Sequence, residues 1–169
     1  MLMTQPRAPT ARIASGAPGE ADPCWSDTFV LRLRATPAAC PVARRHLAWL
    51  LAEWGLARLT DTAELMAAEL LANAVTAARD EELAPDGQPL VVFRVSRAAA
   101  GLVLEVWDPS PEPPVARQAG AMDESGRGLQ LVQALTTAWG FYRPPTGGKV
   151  VWCQLALDDE PPAAWSLLG

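Results

Sequence analysis

The sequence predicts an α/β fold: a two-layer sandwich, its sheet mixed but mostly antiparallel, with helices on one face. Three observations lead there. The periodicities run strand, helix, helix, hairpin, helix, hairpin. Consecutive hairpins make antiparallel neighbours, and each helical segment has one apolar face to lay on a sheet. The chain has 169 residues, half of them hydrophobic and a fifth charged, enough for one domain with a real core.

Residues 1–25 are rich in Pro, Ala, Gly and Thr without periodicity and are expected to be a disordered tail. The domain is expected over 26–158, with a short C-terminal tail over 159–169. Thr28 to Arg34 alternates as a strand, with Arg32 and Arg34 toward water. Thr36-Pro37 reads as N-cap and first position of a helix that ends at Gly55. Asp61-Thr62-Ala63-Glu64 resembles a capping box, opening a helix that runs to about Arg79. Leu90–Ser96 and Leu102–Trp107 are apolar runs joined as a hairpin. The Pro-rich connection Asp108 to Asp123 is too rigid for a helix. Arg127 to about Ala138 carries Leu129, Val132 and Leu135 on one face, as a third helix. Phe141 to Arg143 and Lys149 to Leu157 form the last hairpin, turning at Pro144–Gly148. Trp49, Trp107, Trp139 and Trp152 are expected in the core.

Fourteen basic against 19 acidic side chains leave a net charge of −5, which argues against a nucleic-acid surface. Thirteen of the basic residues are Arg; Lys149 is the only lysine. Cys24, Cys40 and Cys153 are odd in number, lack metal-ligand spacing and fit free thiols in a cytoplasmic setting. No segment is apolar and long enough to span a membrane, and with no apolar core after Arg7 and Arg12 the N-terminal residues are not expected to act as a secretory signal.

Three signals bear on chemistry. Glu69 and Asn73 are four apart on the second helix, so both side chains stand on one face. An amide and a carboxylate so placed can hold Mg²⁺ and orient a nucleophile. Asp108 ends an apolar strand, where a carboxylate can accept a hydrogen bond from an adenine amino group. Gly126-Arg127-Gly128-Leu129 opens a helix, where backbone N–H groups and the helix dipole suit phosphate. Each has an ordinary reading taken singly: a solvated pair, a turn-forming Asp, a flexible helix entry. Their order and spacing point to a nucleotide site. Gly147-Gly148-Lys149 precedes a strand and reads as a hairpin turn. His46, the only histidine, reads as a solvated side chain.

Together these segments resemble the GHKL, or Bergerat-fold, ATP-binding superfamily. Glu69 to Val75 resembles its N box, Asp108 to Pro114 a shortened G1 box, and Glu124 to Val132 its G2 box. Trp139-Gly140 and Gly147 to Trp152 resemble the closing hairpin, so the match covers roughly residues 28 to 157. Within the superfamily the chain is similar to bacterial anti-sigma-factor serine/threonine kinases. The resemblance implies ATP and Mg²⁺ as ligands, Glu69 as general base or positioning group and Asn73 as metal ligand. It places Asp108 at adenine, with Gly126, Arg127, Gly128 and Leu129 around the phosphates. It implies a sigma factor or a small anti-anti-sigma-type antagonist as partner, and a homodimer. A non-catalytic, nucleotide-dependent switch is the alternative. The chain departs from its relatives at Ala77, where they often carry His, and at Val150, where many carry a Thr that supports adenine.

Overall fold

The computed structural model describes residues 12–15, 25–78, 89–98, 101–114, 132 and 134–157. Six strands form one sheet: β1 (Arg12–Ser15), β2 (Trp25–Arg34), β3 (Leu90–Ala98), β4 (Gly101–Asp108), β5 (Ala138–Tyr142) and β6 (Lys149–Leu155). Their spatial order is β1-β5-β6-β4-β3-β2. Every neighbouring pair is antiparallel except β1 and β5, which run parallel, so the sheet is mixed as expected. Two helices, α1 (Ala39–Glu53) and α2 (Thr60–Ala77), pack on each other, and α2 lies on β3, β4 and β6.

The core lies between these layers. Leu47 and Leu51 of α1 and Met66, Leu70 and Leu71 of α2 are essentially fully buried. They face Val91, Phe93 and Val95 of β3, Leu102, Leu104 and Val106 of β4, and Val151, Cys153 and Leu155 of β6. The spacing of two along each strand defines the helix-facing side of the sheet. Burial of Cys153 pushes its thiol far up from the usual range, so it behaves as a small apolar side chain.

Several local expectations are corrected. Arg12–Ser15 lies within the stretch expected to be a disordered tail, yet forms β1 along the outer edge of β5. An edge strand presents unpaired backbone groups that such a segment can satisfy. Thr36 is not the N-cap of α1: a turn closed by Ala39 N–H to Thr36 O (2.9 Å) precedes the helix, and Ala38 stands at the cap without a side-chain bond. The Asp61–Glu64 capping box does not form either. A 3₁₀ turn over Ala57–Leu59 runs straight into α2, and no side chain caps it. Glu64 instead takes two hydrogen bonds from Arg44, at 2.6 and 2.9 Å. Of the third expected helix, residues 132, 134 and 135 are helical, and β5 already begins at Ala138.

The end of α1 follows expectation closely. Gly55 has φ +71°, Leu56 N–H bonds Leu51 O (2.7 Å) and Gly55 N–H bonds Ala52 O (3.1 Å). This is a Schellman motif, with buried Leu51 and Leu56 at its two apolar positions. Trp139 and Trp152 are buried, Trp107 is half-buried, and Trp49 is 58% exposed, contrary to expectation. Two residues beyond buried Leu47, Trp49 falls on the outer face of α1. His46 is half-buried: its ring stacks on Phe29, with centroids 6.2 Å apart, and its Nδ1 lies 2.8 Å from Val42 O.

Candidate functional site

Asp108 is the last residue of β4 and keeps the phase of Leu102, Leu104 and Val106, so its carboxylate lies on the helix-facing side. It is 1% exposed. Its Oδ1 accepts the Ser110 N–H at 3.0 Å, an Asx turn that redirects the chain after the strand. The same oxygen accepts a hydrogen bond from Lys149 Nζ at 2.8 Å. Lys149 is 4% exposed, and its Nζ also lies 3.4 Å from Ser110 O. The pairing is built into the sheet, because Asp108 and Lys149 are register partners across β4 and β6.

The sequence reading took Lys149 as part of a hairpin turn and missed its buried pairing with Asp108, although the signal was present. Val151, Cys153 and Leu155 set the inward phase of β6, and counting back by two reaches Lys149. A charged residue on a core-facing phase requires a partner. The same count moves Val150 to the opposite face, where its register partner is Trp107. Val150 therefore does not share a face with Asp108, and its expected place in the nucleotide pocket is corrected.

The turn before β6 is held tightly to Asp108. Gly148 has φ +73°, and a Cβ there would collide with the Asp108 carbonyl oxygen. Only glycine meets both demands. Trp107 Nε1 donates to Gly147 O at 2.9 Å from the other face. The Pro-rich exit from β4 is anchored by Arg143, whose Nε and Nη2 donate to Pro111 O at 3.2 and 3.0 Å.

Glu69 and Asn73 stand one turn apart on α2, both half-buried and flanked by buried Leu70 and Ala74. The helix that carries this pair packs on β4, the strand that ends in Asp108. Cys40, at the start of α1, lies against α2: its Sγ is 3.9 Å from Ala68 O. Burial, and secondly the Glu69 carboxylate, push its thiol up. Gly126, Arg127, Gly128 and Leu129 lie outside the described residues.

The far face of the sheet carries a separate polar cluster. Glu105, 2% exposed, accepts from Arg94 Nη2 at 2.6 Å and lies 3.2 Å from the Tyr142 hydroxyl. Burial, then the Glu105 charge, push the Tyr142 hydroxyl above its usual range. It lies across the sheet from the Asp108 side.

Among the described residues, no three His, Cys, Asp or Glu side chains gather as a metal site. Mg²⁺ commonly takes one or two protein oxygens and completes its shell with phosphate and water. The half-buried Asn73 amide fits that limited donor role.

A buried acceptor at a strand end and an acid–amide pair on the covering helix define a candidate nucleotide site in a two-layer sandwich. The description of the histidine kinase-like ATPase domain matches residues 33–155, most of the chain. The chain belongs to this family, and its domain is an ATP-binding, kinase-like domain of the GHKL type. A search of curated proteins returned no match. No helix among the described residues is long and apolar enough to cross a membrane.

Proposed function

We propose that the protein is a cytoplasmic regulator that uses Mg-ATP to phosphorylate a Ser or Thr of a small antagonist protein, in the manner of anti-sigma-factor kinases. The observation that supports this reading is the half-buried Glu69–Asn73 pair on α2, the helix that packs on β4, at whose end Asp108 stands. Glu69 orients the acceptor hydroxyl and takes its proton. Asn73 offers its carbonyl oxygen to Mg²⁺, and bound Mg²⁺ supplies neutralisation of phosphate charge. Asp108 accepts from the adenine amino group. Gly126, Arg127, Gly128 and Leu129 contact phosphate in this proposal, on the strength of the sequence resemblance. A sigma factor, the antagonist and a second copy of the chain are the proposed partners.

The test is phosphotransfer from labelled Mg-ATP to the antagonist, compared with Glu69→Ala. Transfer by the parent and its loss in the variant is the expected result. Tight ATP binding with no transfer refutes the kinase and leaves the nucleotide-dependent switch.

A further inference from the structure

Lys149 is a buried ammonium on the same face as the carboxylate assigned to adenine. An ammonium has three N–H donors. Nζ directs one at Asp108 Oδ1 (2.8 Å), and Ser110 O lies within reach of a second (3.4 Å). No further hydrogen bond holds Nζ among the described residues. These two partners fix the head group, and the third N–H remains to donate beside the carboxylate. Register pairing of Asp108 with Lys149 makes this a property of the sheet and not of a mobile loop.

We propose that Lys149 is a base-reading residue, which donates to the purine ring nitrogen next to the amino group that Asp108 accepts. Adenine presents on one edge an amino donor at position 6 and an acceptor, N1, beside it. An adjacent carboxylate and ammonium present the complementary acceptor and donor. The ammonium also balances the Asp108 charge, so the carboxylate stays an acceptor in a dry site. This inference rests on the ATP-binding reading of the same site and adds the residue that reads N1.

The test compares ATP with 1-deaza-ATP, which keeps the amino group and lacks N1. Calorimetry on the full chain should show the parent favouring ATP by about tenfold or more, as for a hydrogen bond from a charged donor. Lys149→Met should bind both nucleotides alike; circular dichroism establishes that it is folded. A second readout needs no substitution. Lys149 is the chain's only lysine, so ¹⁵N-lysine labelling yields a single side-chain ammonium signal. Saturating ATP should shift that signal and slow its proton exchange, and 1-deaza-ATP should do so far less. Equal affinities in the parent, discrimination that survives in Lys149→Met, or an ammonium signal that responds alike to both nucleotides would each overturn the inference, while the ATP site would stand. A parent that binds neither nucleotide would overturn the proposed function and this inference with it.

Discussion

Replacing Lys149 by Met should destabilise the nucleotide-free protein by about 3 kcal/mol, the lower part of the range for breaking one side of a buried ion pair. The structure sets the size. Side-chain exposures of 5% for Lys149 and 1% for Asp108 leave little room for water to replace the lost ammonium. The Ser110 N–H still donates to Oδ1, which holds the loss below the top of the range. Urea denaturation followed by circular dichroism measures it. With a slope of about 1 to 3 kcal/mol per molar urea, the midpoint should fall by about 1 to 3 M. The double variant Asp108→Asn, Lys149→Met removes both charges and should recover more than half of the loss, because a buried charge that has lost its ion-pair partner costs more than an absent pair. A loss below about 1 kcal/mol in Lys149→Met, or simple additivity in the double variant, refutes the view of this pair as a dry, mutually dependent unit.

Other expectations follow from the same geometry. Val150→Thr should leave ATP affinity unchanged and lower stability by about 1 to 3 kcal/mol, since it buries a hydroxyl on the face away from Asp108; calorimetry and thermal melts read the two effects. Glu69→Ala should keep nucleotide binding and slow phosphotransfer by about 10² to 10⁴-fold, whereas Asn73→Ala should weaken Mg-ATP binding itself; a filter assay with labelled ATP separates them. Gly148→Ala should lower the melting temperature markedly, because the new methyl meets the Asp108 carbonyl at a positive φ; an unchanged melt would contradict that close approach.

Much of the architecture was legible in the chain. Alternation located β3, β4 and β6, and the 3.6-residue period located α1 and α2, because both patterns are local consequences of burying one face. Gly55 marked the end of α1, since a left-handed residue is needed there whatever surrounds it. The apparent caps misled for a related reason. Glu64 and Thr36 had partners on offer that local sequence does not show: Arg44 on the neighbouring helix, and a turn that delays α1 until Ala39. Trp49 shows that apolar character alone does not assign a side chain to the core.

The site divides along the same line. By itself, the sequence determined that Glu69 and Asn73 share one helix face and that Asp108 closes an apolar strand, because helix pitch and strand alternation operate within a few residues. Only the tertiary structure decided which residue of β6 stands opposite Asp108. Register across two strands 41 positions apart put Lys149 there and sent Val150 to the other face. A shift of one residue exchanges the two faces of a strand, and pairing between distant segments is what selects one of them.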